Sequence, residues 1–347
     1  MPDHVGHDDI STSRRLTVPR GSKKKDKVTY MKKLIGYVAL AAGLLVAGSC
    51  QKESAHGGDV QEVVKTAFRV EIPSEEATRA VAEAEKVDSV YYEVWDEAFQ
   101  QRLFPYVGSA ENRAPVSGGV AEIMIDLVKD QTFNLIFWAQ NSGCHGAGKA
   151  YTWSDLKTIN VDYSKFTADQ KDVYDAFYAV LPDVKGDGSA KTVYLYRPFA
   201  QVNFCASEMS SSMGNIELTG NTVKVSEVAT AFDTINGVGI NPSSGADGTG
   251  VTFSSGAGLV EDKKIEVNDA TYDWVSMNYL LVASSLVEVE ADFYTNFGTV
   301  HRKVIDVPVQ KNYRTNILGD LFLAGTNIKI VVSPDFTTPE MPPIEIK

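Results

Sequence analysis

The chain has 347 residues, with 33 basic and 45 acidic side chains and a net charge of −12. Residues 1–49 hold 9 of the basic and 4 of the acidic side chains, so the remainder is more acidic still, at −17. This charge gives no electrostatic basis for binding nucleic acid. Three cysteines are too few for a disulfide scaffold. Cys144 and Cys205 could pair in an oxidising compartment, although small buried thiols are the favoured state for both.

The first fifty residues have the pattern of an export signal. Residues 1–30 are polar, contain Pro and Gly, and show no apolar period, which is typical of disorder. Residues 31–49 then combine two lysines, a short apolar run and small residues before Cys50, as a signal peptide does. We expect Met31 to be the true initiator and residues 1–30 to be a start-site artefact. A basic functional arm is the alternative.

The end of this signal resembles a bacterial lipobox, in the sequence Ala47-Gly48-Ser49-Cys50. In such signals the cysteine becomes the acylated N-terminus, so Cys50 is the predicted lipidation site. Several acyl chains would anchor the protein firmly, because single chains bind membranes only marginally. A plain cleavage site followed by a free cysteine is the alternative. Residues 51–62 are hydrophilic and would form a tether between lipid and fold.

A well-formed strand is predicted directly after the tether. Its inward positions alternate with charged or small residues, and they are Val64, Thr66, Phe68, Val70 and Ile72. This period of two is that of a half-buried strand. Pro73 ends the pattern.

The polar residues after this strand predict a protease site. Residues 74–78 are small or acidic, and Arg79 and Ala80 follow them. Exposed polar loops are preferred sites of proteolysis, and a lone arginine suits a trypsin-like enzyme. A cut between Arg79 and Ala80 would free the strand and leave an apolar groove with unpaired backbone groups, which is a template for another chain's strand. An N-terminal edge strand followed by an uncut loop is the alternative.

The next residues favour β structure. Val87–Trp95 is strand-like, and two apolar runs follow at Ala121–Val128 and Thr132–Asn141. Because three residues join these two runs, we expect them to form a hairpin. The second run is apolar on both faces, so it should be a central strand.

One short helix is predicted in the first half of the chain. Thr167 and Gln170 form a candidate capping box, and apolar residues recur at helical spacing at Val173, Phe177 and Val180. Pro182 would end this helix.

Asp183–Lys191 is polar and rich in glycine, so we place a domain boundary there. Short strand-like runs separated by turn residues follow it, as is typical of a β-sandwich. We therefore expect an all-β fold of two β-sandwich domains, at residues 80–188 and 189–347. Residues 50–79 hold the tether and a propeptide strand.

The C-terminal residues provide a candidate donor strand. Its apolar positions lie on either side of a Pro-rich stretch and are Ile328, Ile330, Val332, Ile344 and Ile346. Such a tail can pack on its own domain or add to the sheet of a neighbouring molecule.

Four stretches together resemble the fimbrillins, the type V pilin family of Bacteroidales, which includes FimA-like and Mfa-like lipoprotein pilins. They are Ala47–Cys50, Thr78–Ala80 ahead of the strand Val90–Trp95, the run Arg197–Asn203, and Val307–Gly319. The last two are the more specific. The resemblance implies two β-sandwiches of transthyretin-like topology, with acylation of Cys50 and a cut between Arg79 and Ala80. It also implies polymerisation by strand exchange, with Asn327–Ile346 as the donor.

The function implied is that of a structural subunit of a cell-surface fimbria with a role in adhesion. Its partners would be other pilin subunits, outer-membrane lipid through the acylated cysteine before maturation, and a host or bacterial surface receptor. The location would be the outer membrane and the fimbrium. We expect no cofactor, no metal and no nucleic acid. A tip or anchor adhesin is a close alternative.

Two other classes of function remain. A surface lipoprotein could bind glycans through aromatic side chains, for which the candidates are Trp138, Tyr151, Trp153 and Trp274. An enzyme is the third class, but His145 and His301, the two histidines outside the N-terminal segments, lack any acid–base or nucleophile pattern. We therefore expect no catalytic residue.

Overall fold

The computed structural model describes residues 61–73, 86–105, 112–166, 173–207, 216–243, 250–255, 264–267, 270–322 and 328–333. All of them belong to one compact unit, Val60–Lys347. They form twenty-one strands, with 3-10 turns such as Ser142–Cys144 and Tyr163–Lys165. The predicted all-β class is confirmed. Within the described ranges, no helix combines the length and the hydropathy needed to cross a bilayer.

The strands follow one another closely along the chain. In chain order they are β1 (Val63–Glu71), β2 (Ser89–Trp95), β3 (Arg102–Phe104), β4 (Arg113–Pro115), β5 (Val120–Val128), β6 (Thr132–Gln140), β7 (Tyr151–Thr152), β8 (Thr158–Val161), β9 (Ala176–Lys185), β10 (Lys191–Tyr194), β11 (Phe199–Ala206), β12 (Leu218–Val225), β13 (Val228–Asp233), β14 (Val238–Pro242), β15 (Val251–Ser255), β16 (Lys264–Val267), β17 (Ala270–Val282), β18 (Leu286–Thr295), β19 (Gly298–Pro308), β20 (Arg314–Gly319) and β21 (Lys329–Ser333).

These strands make four sheets. The three-stranded sheet has the order β10-β1-β5, and the five-stranded sheet has the order β3-β2-β6-β9 with β4 paired to β2. The nine-stranded sheet runs β21-β20-β11-β17-β13-β8-β7, with β14 on β13 and β16 on β17. The four-stranded sheet has the order β15-β12-β18-β19.

Two buried clusters form the cores. The first core packs the three-stranded sheet against one face of the five-stranded sheet, and its members include Phe68, Ile123, Val193, Leu135 and Phe137. The second core packs the other face of the five-stranded sheet, through residues such as Ile136 and Trp138, with the nine-stranded and four-stranded sheets. Burial of these apolar side chains is the main favourable contribution to folding.

Strand β6 contributes to both cores. It pairs with β2 on one side and β9 on the other, and Phe133–Gln140 are all buried. Leu135 and Phe137 face the first core, whereas Ile136 and Trp138 face the second. The predicted central strand is therefore confirmed.

The predicted hairpin between Ala121–Val128 and Thr132–Asn141 is wrong. Strand β5 belongs to the three-stranded sheet and β6 to the five-stranded sheet, so the three-residue link crosses between them. Asp130 in this link has φ +61°. Its backbone N–H donates to the carbonyl oxygen of Gly186 at 3.0 Å, and Gly186 lies outside both β5 and β6. The place beside β5 that a hairpin partner would take is filled by β1.

The predicted short helix before Pro182 is also wrong. Ala176–Lys185 is strand β9, and Ala176–Ala179 are all buried. Both faces of this strand are covered, so its apolar residues form a continuous run. Such a run matches a helical spacing by chance as easily as it matches a strand. The proposed cap residues Thr167 and Gln170 lie outside the described residues.

The two most specific stretches of the fimbrillin resemblance lie side by side. Strand β11 pairs in parallel with β20, and a row of buried polar side chains joins them. Arg314 Nε donates to Gln201 Oε1 at 3.1 Å, and Asn203 Nδ2 donates to Asn316 Oδ1 at 2.8 Å. These hydrogen bonds compensate part of the cost of burying the polar side chains and tie the two stretches together.

A buried ion pair precedes β11. Arg197 donates from Nε and Nη2 to the two carboxylate oxygens of Asp175, at 2.8 and 2.7 Å. The Arg197 side chain is 5% exposed and that of Asp175 is 0% exposed. The guanidinium also lies 4.8 Å from the centroid of the Phe177 ring. Bidentate pairing is the geometry that makes such a buried pair tolerable.

We expect Asp175→Ala to lower the free energy of unfolding by about 3–5 kcal/mol, because the guanidinium would stay buried without its carboxylate. Urea denaturation of the variant and the parent chain measures this. Lys303→Ala is the control, since Lys303 pairs with Glu288 and Glu290 on an exposed surface, where ion pairs contribute little. An Asp175→Ala chain as stable as the control would contradict the prediction.

Candidate functional site

Strand β1 is the middle strand of its sheet. It makes nine consecutive antiparallel pairs with β5, from Val63↔Val128 to Glu71↔Val120. On the other side it makes four parallel pairs with β10, from Phe68↔Lys191 to Glu71↔Tyr194. The predicted strand is therefore present, and it is held on both sides rather than at an edge.

One face of β1 fills the first core. Thr66, Phe68 and Val70 are 0% exposed and Ile72 is 4% exposed. Val64, nearer the start of the strand, is half-buried. These are the five positions that the alternation places on the inward face. The aromatic ring of Phe68 reaches the opposite sheet, with its centroid 6.0 Å from that of Phe137.

The outer face of β1 carries solvent-exposed ion pairs. Arg69 bonds to Glu71 at 2.7 Å and across the sheet to Glu122 at 2.9 Å. These two hydrogen bonds raise the pKa of Arg69. Lys129 reaches back to Glu62 at 2.7 Å. Exposed pairs of this kind add little stability, so the inward face accounts for most of the strand's attachment.

Removal of β1 would leave a groove bounded by two strands. Strands lie about 4.8 Å apart in a sheet, so β5 and β10 would be separated by roughly 10 Å, the width for a single strand. A replacing strand that restores the same hydrogen bonds must run antiparallel to β5 and parallel to β10. The walls of this groove were not predicted from the sequence. The alternation of Ile123, Ile125 and Leu127 marks β5 as half-buried, but nothing in the four residues of β10 indicates its partner.

The chain leaves β1 toward the predicted cleavage site. Ile72 N donates to Gly119 O at 2.8 Å just after the strand. Arg79 and Ala80 lie outside the described residues, as does Cys50. Every other described strand follows Arg79 in sequence. A cut at that point would therefore break the only covalent link between β1 and the other described strands.

The predicted donor segment lies partly within the described residues. Strand β21 pairs antiparallel with β20 at the edge of the nine-stranded sheet. Ile328 and Ile330 pack against the second core, whereas Val332 is 40% exposed. The start of the tail thus packs on its own sheet. Ile344 and Ile346 lie outside the described residues, and the donor role of the segment stays a prediction.

A family model matches residues 58–346 of this chain, and its description is that of a family of unknown function (DUF6562). The chain belongs to this family. No curated protein sequence matches it.

Several solved structures are distantly similar to this member of the family. A protein from Bacteroides uniformis assigned to cell adhesion is 13% identical with a TM-score of 0.48, over 81% of this chain and 100% of that chain. The tip fimbrial protein Mfa3 from Porphyromonas gingivalis, with a C-terminal truncation, is 8% identical with a TM-score of 0.44, over 78% and 99%. The fimbrial anchor protein Mfa2 from the same organism is 12% identical with a TM-score of 0.40, over 78% and 98%. Sequence identities and TM-scores this low carry no functional assignment to this chain.

The aromatic candidates for glycan binding are mostly internal. Trp138 and Tyr151 are 0% exposed, and Trp274 is 4% exposed. Trp153 is half-buried and stacks on His145, with ring centroids 3.5 Å apart. Trp153 is therefore the most exposed residue of the four.

The two candidate histidines lie in different surroundings. His145 Nδ1 is 3.2 Å from the carbonyl oxygen of Tyr151, so this nitrogen donates when it carries the proton. His301 Nδ1 lies 2.8 Å from Asp292 Oδ1 on the exposed face of a hairpin. In the part of the chain that the structure describes, no group of three or more His, Cys, Asp or Glu side chains could hold a metal ion.

Cys144 and Cys205 are free and buried. Burial raises the pKa of Cys144 to about 11 and raises that of Cys205 well above its ordinary value. Thiols in this state form little nucleophilic thiolate near neutral pH. Both thiols are therefore part of the packed core, as predicted from the sequence.

We expect Phe68→Ala to lower the free energy of unfolding by about 3–5 kcal/mol, because it removes a fully buried ring from the first core. Chemical denaturation followed by tryptophan fluorescence measures this loss. Lys65→Ala is the matched control, since Lys65 is an exposed residue of the same strand and its loss should change stability little. Equal stability of the two variants would mean that β1 does not hold the first core together.

Proposed function

We propose that this chain is a structural subunit of a cell-surface fimbria, matured by a cut between Arg79 and Ala80 and polymerised by strand exchange. One observation carries the proposal. A nine-residue strand fills the middle of a sheet, and it precedes Arg79 while every other described strand follows it. The resemblance of Arg197–Asn203 and Val307–Gly319 to fimbrillin stretches supports the same function.

The energetics of the groove suit an exchange reaction. Strand β1 buries the side chains of Phe68, Val70 and Ile72 in the first core. Burial of each such side chain stabilises the bound strand by about 1.5–3 kcal/mol. Each net backbone hydrogen bond adds about 0.5–1.5 kcal/mol. Ordering an incoming strand costs about 1–2 kcal/mol per residue in backbone entropy. The side-chain and backbone contributions oppose this ordering cost, and they are available only in an empty groove, because β1 already pairs with both of its walls.

The donor in this proposal is Asn327–Ile346 of a second copy. The apolar positions Ile328, Ile330 and Val332 alternate as the inward face of β1 does. A contact in which the tail of one molecule enters the groove of the next is head-to-tail and does not close on itself, so it builds a filament.

The lipid anchor and the blocking strand would be released together. Cys50 is the proposed acylated residue, and residues 51–62 are the tether, which extended would span about 40 Å. Both lie on the N-terminal side of Arg79, as β1 does. In this scheme the subunit stays on the outer membrane with its groove closed until the protease acts, and one cut then frees it and opens the groove.

Among the sites that follow the tether, we expect trace trypsin to cut the purified full chain first after Arg79, yielding a fragment that begins at Ala80, and filaments to form afterwards. Mass spectrometry identifies the cut and electron microscopy shows the filaments. Arg79→Gln should abolish both, whereas Arg113→Gln, a control on the exposed part of β4, should leave both intact.

Two results would overturn this proposal. The first is resistance of Arg79 to cleavage in the folded chain. The second is a cleanly cut protein that stays monomeric, which would favour an anchor adhesin or a glycan-binding lipoprotein instead.

A further inference from the structure

Thr66 is an exception on the inward face of β1. The other inward positions carry Val64, Phe68, Val70 and Ile72, and these are apolar. Thr66 is 0% exposed, and its hydroxyl oxygen Oγ1 has no hydrogen-bond partner among the residues that the structure describes. Removing a hydroxyl from water without giving it a new hydrogen bond opposes folding. This one side chain therefore weakens the attachment of β1 to its groove.

The pairing of β1 is also weaker where Thr66 lies. The parallel ladder with β10 begins at Phe68, so Phe68–Glu71 are bonded on both sides. Within the described residues, Val63–Ala67 pair with β5 alone, and Thr66 lies opposite Ile125 there. Val63 at the start of the strand is 54% exposed. The half of β1 that holds the unsatisfied hydroxyl is thus the half with fewer hydrogen bonds.

We propose that Thr66 makes β1 replaceable: its pocket accepts an apolar β-branched side chain better than threonine, so a strand carrying Val or Ile there displaces β1. This inference rests on the proposed function, and its partner is the tail of a second copy of this chain. The tail has Ile328, Ile330 and Val332 at three successive alternate positions, and none of them carries a hydroxyl. When two strands have equal backbone ladders and otherwise equivalent side chains, the one without a buried unsatisfied hydroxyl binds more tightly.

The first test is thermal unfolding of the uncut full chain. Thr66→Val replaces the hydroxyl with a methyl group of similar size, and we expect it to raise Tm by about 2–4 °C. The control Thr192→Val makes the same change at an exposed position of the neighbouring strand β10 and should leave Tm unchanged. Thr66→Ser keeps the hydroxyl and loses the methyl group, and it should lower Tm.

The second test measures displacement after the cut. Chain cut after Arg79 is mixed with synthetic peptides of residues 62–73 that carry either Thr or Val at position 66, and release of the β1 fragment is followed by size exclusion and mass spectrometry. We expect the Val peptide to displace the fragment at an about ten-fold lower concentration. A Thr66→Val chain, once cut, should release its own fragment about ten-fold more slowly.

The outcomes separate this inference from the proposed function. The role of Thr66 would be overturned if the Thr and Val peptides displaced the β1 fragment at the same concentration. It would also be overturned if Thr192→Val raised Tm as much as Thr66→Val does. Both results hold whether or not filaments form. If the wild-type chain is not cut after Arg79, or forms no filaments once cut, the proposed function fails, and the thermal comparison still decides whether Thr66 weakens β1.

Discussion

The packing of β1 between β5 and β10 is the interaction on which the first core depends. This strand brings Phe68 and Val70 to the centre of that core and supplies the hydrogen bonds for one edge of each neighbour. Without it the two neighbours would share no ladder, and an apolar surface would face water. Such a surface is costly alone but favourable for any strand of matching pattern. The apolar surface that makes β1 necessary to the fold is therefore also the surface that another strand of matching pattern can cover.

The groove rests on a rigid support. Strand β6 lies beneath it with Leu135 and Phe137 in the first core, and its alternate side chains Ile136 and Trp138 lie in the second. Hydrogen bonds between buried polar side chains also join β11 to β20, from Asn203 to Asn316 and from Arg314 to Gln201. Close-packed protein interiors have low compressibility and resist small adjustments of shape. Loss of β1 would therefore uncover one face of β6 while its other face stays packed, and the groove would keep its shape for a new strand.

The sequence predicted the strands of this fold better than their partners. The alternation in β1, where Thr66, Phe68 and Val70 are buried and Lys65 and Arg69 are exposed, follows directly from the side-chain period of two. The period says nothing about which strand lies alongside, so β5 was paired wrongly with β6, and the role of β10 was missed. Where a strand is covered on both faces, as in Ala176–Ala179, the period disappears and a helix was predicted instead. The inward face of the candidate site could be predicted because it is a local pattern, whereas its walls come from distant segments.

The order of features along the chain limits which exchange mechanisms are possible. The proposed lipidation residue Cys50, the proposed tether and β1 come before Arg79, and all the other described strands come after it. If the tail entered the groove while β1 remained covalently attached, the displaced strand would stay near at high effective concentration and compete for the same site. Cleavage removes that advantage, because a detached strand is lost by dilution. A modest difference in side-chain fit, such as one unsatisfied hydroxyl, is then enough to decide which strand occupies the groove.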